Sequence, residues 1–224
     1  MKKIVSAIFA LFFVAGLGFS QGILTAPAYF KTVSEFYGTI KDYEADVDIK
    51  AGKNSMSGKI SFKRPDLLRI DFTSPEDQVI CFNGDMLTIY LPGSAAILNQ
   101  SVEPSSSAGA ANMSTPQGLA LMNRYYSVKY EVGQDPVPLD ENSDETVIRL
   151  ILSRKNASEA FSSIKIAVSP KNNLIRRIEA RTPQNDMFTF DFKNYVLNQG
   201  ISDQRFIYDP PASANNYNNF LYTE

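Results

Sequence analysis

The chain has 224 residues, of which 44% are hydrophobic and 12% aromatic, enough for one folded domain and too many for a disordered chain. It contains no His, no Trp and one Cys, which excludes a Ser-His-Asp or Cys-His catalytic set, an imidazole or thiolate metal site and an internal disulfide. The net charge of −2, about −4 once the two N-terminal lysines are removed, argues against a nucleic-acid partner. Carboxylates, Lys, Tyr, Ser and Thr remain for catalysis but form no convergent set in the sequence, so we predict a protein that is not an enzyme and holds no metal or cofactor.

The first twenty residues have the pattern of a secretory signal peptide. A basic start at residues 1–3 precedes an almost unbroken apolar run from Ile4 to Phe19. As a helix this run spans about 24 Å, short of the roughly 30 Å hydrocarbon core, and a small-residue cleavage site follows at Ser20. We expect residues 1–20 to be removed, which leaves 20 basic against 24 acidic residues in a protein that lies outside the cytoplasm without a lipid anchor.

The mature chain is predicted to begin with a short amphipathic helix from Thr25 to Ile40. Its apolar side chains recur every three or four residues, Thr25 suits an N-cap, and Pro27 is tolerated in the first turn.

From Asp42 the apolar period changes to two, which indicates strands. Turn residues separate the alternating segments, and no βαβ pattern occurs, so we predict one large antiparallel sheet that is curled or nearly closed. The segments, roughly ten in number, are Tyr43–Ile49, Met56–Phe62, Leu68–Phe72, Leu87–Leu91, Val128–Val132, Ile148–Leu152, Ile164–Val168, Ile178–Ala180, Phe188–Phe192 and Phe206–Tyr208.

The strand pattern is interrupted between residues 99 and 123. Residues 105–111 are rich in Ser, Ala and Gly and are predicted to form a mobile loop, which leads into a short helix from Thr115 to Met122. Residues 21–224 are expected to form a single domain, with a flexible Asn-rich tail at 212–224.

Several charged or reactive residues have an ordinary structural interpretation. The acidic segment 140–145 lacks the spacing of a calcium loop and is predicted to be a solvated hairpin turn. Glu44, Asp46 and Asp48 alternate with apolar residues and fit the outer face of a strand. The apolar neighbours of Cys81 predict a buried thiol.

Two features admit a functional interpretation beside the structural one. Phe188, Phe190 and Phe192 point to one side of one strand, and they belong either to a packed core or to a partly covered cavity for an apolar ligand. Arg64 precedes Pro65 in a predicted turn, where it is either a surface arginine or a donor that latches the backbone of a neighbouring segment.

The order of motifs along nearly all of the mature chain resembles the LolA family of periplasmic outer-membrane lipoprotein carriers. The motifs that carry the resemblance are Gly58–Phe72 with its Arg64-Pro65 turn, Asn83-Gly84 followed by Leu87–Tyr90, the helix-prone Thr115-Pro116 segment, Phe188–Phe192 and Phe206–Pro211.

The resemblance implies a mainly β fold with a few helices: an incomplete antiparallel β-barrel with a helical lid over a hydrophobic cavity. It implies a periplasmic carrier that takes acylated lipoproteins from an inner-membrane ABC-type release complex to the outer membrane, with an outer-membrane acceptor as a further partner. The alternative is a lipid- or lipoprotein-sensing regulatory protein of the same fold, since fold alone does not fix function. A monomer is the default expectation.

The resemblance also implies roles for particular residues. Arg64 stands where the family has an arginine that holds the lid closed. Leu68 and Ile70 stand where the family has aromatic residues. The predicted lining of the cavity and lid consists of Phe62, Leu68, Ile70, Phe72, Leu119, Met122, Phe188, Phe190 and Phe192.

Overall fold

The computed structural model describes residues 24–102 and 115–220. The predicted signal peptide, the predicted loop at 105–111 and the last four residues of the tail lie outside the described residues. The described helices are α1 (Ala26–Thr39), α2 (Pro116–Tyr125) and two 3-10 helices, Pro92–Ser94 and Asp203–Phe206.

The strands form a curved, unclosed sheet, which confirms the predicted fold class. They are β1 (Asp42–Ala51), β2 (Asn54–Lys63), β3 (Leu67–Ser74), β4 (Glu76–Phe82), β5 (Met86–Leu91), β6 (Ala96–Ser101), β7 (Tyr126–Tyr130), β8 (Val137–Pro138), β9 (Thr146–Arg154), β10 (Ser163–Val168), β11 (Ile175–Arg181), β12 (Met187–Leu197) and β13 (Asn215–Asn218).

The sheet consists of two runs of strands joined along one seam, and neighbouring strands pair antiparallel except β13, which pairs with β6 in parallel. The strand order is β13-β6-β5-β4-β3-β2-β1-β12-β11-β10-β9-β7, with β8 paired to β9 beside this path. The strand β1 therefore pairs with β12, and Val47 lies opposite Phe192. This seam brings the first strand and the last long strand together at the middle of the sheet.

The predicted helix Thr25–Ile40 is confirmed as α1. The Thr25 side chain accepts a hydrogen bond from the N–H of Ala28 at 3.4 Å, and Pro27 lies in the first turn, where no donor is needed. The chain becomes extended at Ile40 and continues into β1. The face formed by Ala26, Tyr29, Phe30, Val33 and Tyr37 is buried against the sheet and α2.

The strand prediction needs four additions and one correction. The strands β4, β6, β8 and β13 were not predicted. The predicted strand Phe206–Tyr208 is wrong. Phe206 ends a 3-10 helix and is buried against the outer face of the sheet. The thiol of Cys81 donates to the Phe206 carbonyl at 3.2 Å. This bond holds the segment on the outer side of β4, where it does not pair as a strand.

The tail is described as far as Phe220, and part of it forms β13 beside β6. Its predicted flexibility stays a prediction.

At Gly58 the backbone of the neighbouring strand β3 approaches closely. The pairing of β2 with β3 shifts register between Ser57 and Gly58. A Cβ atom at Gly58 would overlap the carbonyl oxygen of Asp71 and lie 2.9 Å from the Cα of Phe72. Only a residue without a side chain therefore fits this position.

We expect Gly58→Ala to lower the free energy of unfolding by about 1–3 kcal/mol, because two strands must separate to admit the methyl group. Gly38→Ala is the matched control, since nothing lies within 4 Å of its Cβ position in α1. The control is expected to be neutral or stabilising by roughly 0.5–1 kcal/mol. Urea unfolding of both variants measures the difference, and equal stabilities would contradict the overlap.

Candidate functional site

The sheet has one apolar face, and the register identifies it. Residues directly opposite one another on an antiparallel ladder share a face. Phe62 pairs with Leu68, and Leu68 pairs with Phe82 of β4. Phe190 pairs with Ile49, which shares its face with Tyr43, the partner of Phe62. We call this surface, which α1 and α2 partly cover, the concave face.

The predicted lining residues all belong to one hydrophobic cluster on this face and under α2. Phe188 and Phe190 are half-buried, and the other predicted residues of the lining are at least 95% buried. These side chains pack against one another here, so this part of the concave face is a closed core. Their role in lining a cavity stays a prediction. The buried set is Phe62, Leu68, Ile70, Phe72, Leu119, Met122 and Phe192.

A second part of the concave face remains half-exposed. On β4, β5 and β6, the register aligns Ile80 with Ile89 and Leu98 in one row, and Phe82 with Leu87 in the next. The open strip, as we name it, consists of six half-buried apolar residues: Ile80, Phe82, Leu87, Ile89, Leu91 and Leu98. It continues the buried cluster, because Ile80 and Phe82 pack against that cluster.

The open strip exists because the helices are short. With 14 and 10 residues, α1 and α2 are about 21 and 15 Å long. Twelve strands about 4.8 Å apart make a sheet that is roughly 50 Å wide. The helices contact each other and β7, so they cover the far side of the sheet and leave β4–β6 open.

The sequence analysis missed most of the open strip because it missed β4 and β6. One signal was available in the run Val79–Phe82, in which all four residues are apolar. Such a run indicates a strand covered on both faces. Val79 and Cys81 are buried on the outer face, whereas Ile80 and Phe82 belong to the open strip.

A ring of three hydrogen bonds anchors α1 to the sheet. The Ile175 N–H donates to the Tyr37 hydroxyl at 3.0 Å, and the Tyr195 hydroxyl donates to the Ile175 carbonyl at 3.0 Å. The two hydroxyls lie 3.4 Å apart, so the Tyr37 hydroxyl is left to donate to Tyr195. Burial raises the pKa of Tyr37 to about 12 and that of Tyr195 well above its ordinary value.

The other end of α1 is also held by a tyrosine. The Tyr130 hydroxyl on β7 donates to the Leu24 carbonyl at 2.7 Å, just before the helix begins. The Lys41 N–H after the helix donates to the Asn198 side chain at 2.7 Å. In α2 the polar anchors lie at the C-terminal end, where the Lys155 N–H and Nζ donate to the last two carbonyls of the helix at 3.0 Å each. Its side chains Leu119 and Met122 contact the concave face through apolar atoms.

Arg64 lies in the predicted turn between β2 and β3, at the rim of the sheet. Its backbone N–H donates to the Lys41 carbonyl at 2.9 Å. The side chain is exposed, and its guanidinium forms no hydrogen bond or ion pair with residues 24–102 or 115–220. A latch to the lid therefore stays a prediction.

The outer face of the sheet is polar and paired, as predicted for Glu44, Asp46 and Asp48. Asp48 accepts hydrogen bonds from Ser57 at 2.7 Å and Lys193 at 3.1 Å, and these two bonds lower its pKa. A cleft of about 430 Å³ on this face is lined by charged side chains that form ion pairs across it. Apolar side chains also contribute to its lining.

Asp140, in the predicted acidic turn, is exposed and lies beside this cleft. The Arg177 guanidinium donates to it at 2.8 Å and holds the pKa of its carboxyl below the usual range.

The segment Asp203–Tyr208 crosses the outer face over β2–β4. Arg205 forms an ion pair with Asp71, which also pairs with Arg69 at 2.8 Å, and the guanidinium of Arg69 lies over the Tyr208 ring at 5.3 Å. Cys81 is buried beneath this segment, as predicted, and burial raises the pKa of its thiol.

Within the described ranges, no three Cys, Asp or Glu side chains converge as a metal site. No helix in the same ranges combines the length and the apolar character needed to span a bilayer.

Comparison with known proteins adds a family match. The family model described as outer membrane lipoprotein carrier protein LolA matches residues 46–209. An outer-membrane lipoprotein carrier protein of Haemophilus ducreyi is 27% identical over 171 residues, which are 73% of this chain and 78% of that protein. An outer-membrane lipoprotein carrier protein of Chromobacterium violaceum is 23% identical over 198 residues, which are 85% of this chain and 89% of that protein.

A crystal structure of an uncharacterised conserved protein from Thermus thermophilus has the same fold. Its TM-score is 0.54 at 11% identity, over 84% of this chain and 96% of that one. At this identity the likeness concerns the fold alone.

We expect Ile89→Asp to weaken the binding of a fluorescent sixteen-carbon fatty acid about tenfold or more, because it places a charge in the open strip. The control is Thr88→Asp, which places the same charge on the opposite face of β5. Fluorescence titration measures both affinities. Equal affinity in the two variants would show that the ligand binds elsewhere.

We expect the free energy of unfolding to fall as the pH rises from 10 to 12. The unfolded chain releases the Tyr37 proton near pH 10, whereas the folded chain keeps it up to about pH 12. The stabilisation from the raised pKa of Tyr37 is fully present below pH 10. Between pH 10 and pH 12, each tyrosine with such a raised pKa lowers the free energy of unfolding by about 1.4 kcal/mol per pH unit.

Tyr37→Phe is expected to flatten this decline and to cost about 1–3 kcal/mol at neutral pH, since the Ile175 N–H loses its acceptor. Tyr217→Phe, which alters an exposed tyrosine, serves as the control. Urea unfolding at several pH values measures how steeply the free energy of unfolding falls with pH. Identical slopes in wild type and Tyr37→Phe would show that Tyr37 does not cause the decline.

Proposed function

The chain belongs to the LolA family of outer membrane lipoprotein carrier proteins, and we propose that it binds the acyl chains of lipoproteins and carries them from the inner to the outer membrane. The observation that carries the proposal is the open strip, an apolar surface that continues into a large apolar core. The carrier-protein relatives from two organisms support the same function.

The energetics of acyl chains favour a container of this kind. Exposing one chain of about fifteen methylenes to water costs roughly 12 kcal/mol, at ~0.8 kcal/mol per methylene. A carrier must replace that apolar contact and still release the chain at its destination. A partly open apolar face beside a movable cover meets both needs, whereas a fully packed interior meets neither.

We propose that α2 forms part of this cover and that the residues of the predicted lining contact the acyl chains. Leu119 and Met122 rest on the concave face through apolar contacts, so acyl chains can replace them with little change in chemistry. The hydrogen bonds from Lys155 hold only the C-terminal end of α2 and can stay in place while its first turns move. Displacing α1 instead would break the Tyr37–Tyr195–Ile175 ring. The open strip is the proposed point of entry, and Phe188 and Phe190 extend the lining toward the opposite rim.

The proposed setting is the periplasm, with the first twenty residues removed as a signal peptide. The proposed partners are acylated lipoproteins, an inner-membrane ABC-type release complex and an outer-membrane acceptor, and the proposed working unit is a monomer. No catalytic step is needed, because loading and release make and break no covalent bond.

Native mass spectrometry of the protein purified from its own envelope tests this function. The expected result is a bound lipopeptide or lipoprotein that carries acyl chains. A protein that emerges without lipid, and that takes up no triacylated lipopeptide when one is added, would contradict the proposal.

Affinity capture separates the carrier from the alternative regulatory role. A carrier recovers many different triacylated lipoproteins, whereas a sensor recovers one membrane partner. The second outcome would replace transport by regulation as the function.

We propose that Arg64 latches the cover through its five fixed donors. Arg64→Leu is then expected to change the rate of lipopeptide transfer to acceptor vesicles about tenfold, the equivalent of one charge-assisted hydrogen bond. Unfolding stability should change by less than about 0.5 kcal/mol, because the side chain is exposed.

Arg64→Lys is the matched variant, since it keeps the positive charge and loses the planar guanidinium with its five fixed donors. An intermediate transfer rate supports a latch, and wild-type rates in both variants would remove Arg64 from the mechanism.

A further inference from the structure

The sheet ends at β13, whose attachment differs from that of every other described strand. Within the described ranges its pairing with β6 is the one parallel pairing, and parallel pairing is slightly less stable than antiparallel pairing. All four of its residues are exposed, so none of them fixes β13 in place by burial. The side-chain amide of Asn99 reaches two of them, Asn216 at 3.4 Å and Asn218 at 3.2 Å.

Backbone hydrogen bonds hold β13 to β6. The N–H groups of Asn215 and Asn219 donate to the carbonyls of Ala95 and Asn99, each at 2.7 Å. Alternate residues of a strand face the same neighbour, so the N–H of Tyr217 also points at β6. The N–H groups of the two asparagines between them point away. This pattern depends on the backbone and not on the sequence of the paired strand.

The edge of β6 borders the open strip. Leu98 of β6 completes the row that begins at Ile80 and Ile89, and Tyr217 of β13 lies directly opposite Leu98. The Tyr217 side chain is 53% exposed and ends this row. A molecule with an apolar end on the strip and an extended peptide attached to it therefore reaches the edge of β6 directly.

We propose that the edge of β6 is a peptide-binding site, which β13 occupies until the linker of a bound lipoprotein takes its place by strand addition. A lipoprotein is acylated at its N-terminal residue, so its linker begins where the acyl chains end. Backbone pairing accepts any linker sequence, which suits a carrier of many lipoproteins. The inference rests on the proposed acyl-chain binding and adds a site for the polypeptide.

Two synthetic triacylated peptides with the same ten-residue linker test the site. One of them carries N-methyl groups on alternate linker residues, which removes the donors for strand pairing. We expect the unmodified peptide to bind wild-type protein roughly tenfold more tightly, since two or three backbone hydrogen bonds are at stake. Hydrogen exchange at residues 215–219 is expected to speed up with the unmodified peptide only.

Two proline variants show whether β13 competes for the edge. Tyr217→Pro removes a donor that points at β6 and is expected to tighten binding of the unmodified peptide about fivefold. Asn216→Pro removes a donor that points away and the 3.4 Å contact with Asn99, so it is expected to tighten binding less than Tyr217→Pro does. The ratio of the affinities for the unmodified and the N-methylated peptide isolates the edge, because losing the Tyr217 ring from the apolar row affects both peptides alike.

The outcomes separate this inference from the function on which it rests. Equal wild-type affinities for the two peptides, with unchanged exchange in the tail, would overturn the peptide site and leave acyl binding intact. If neither the peptides nor the fatty acid binds, both the carrier function and this inference fail.

Discussion

The architecture depends on an imbalance between one wide apolar face and the short helices that must cover it. A curved sheet of twelve neighbouring strands collects its large apolar side chains on the concave side, while α1 and α2 are too short to span that side. The result is a single surface in two conditions, closed under the helices and half-exposed on β4–β6. In the proposed function, ligand binding requires only that α2 move and expose more of the concave face.

The sequence predicted what depends on local periodicity. The helix that contains Phe30 and Val33, the helix from Thr115, and the strands with strict alternation all form. It did not predict β4, because Val79–Phe82 is apolar on both faces and does not alternate, nor β13, whose exposed asparagines have no apolar pattern. The strand predicted at Phe206 failed for a related reason. Phe206 is held against the outer surface of β4, a tertiary contact that periodicity does not encode.

Periodicity also predicted part of the candidate site, because alternation shows which residues share the apolar face. Phe62, Leu68 and Phe192 were assigned to the apolar side of the sheet from alternation alone, and all three are buried in its hydrophobic cluster. The openness of Ile89 and Leu98 could not be predicted, because it depends on where α1 and α2 lie. Polar side chains on the outer face, such as Asp71 between Arg69 and Arg205, satisfy one another and leave the concave face as the chemically distinct surface.

The seam between β1 and β12 also determines when the molecule can fold. Asp48 and Lys193, which pair across it, are 145 positions apart in the chain. A chain made from its N-terminus can pair β1 through β6 early, but the other edge of β1 stays unpaired until β12 is complete, and α2 joins the apolar side only later. Long-range pairing of this kind slows folding and prolongs the exposure of apolar surface. The apolar surface that suits the finished protein to acyl chains is thus a liability to the nascent one, which must reach nearly full length without aggregating.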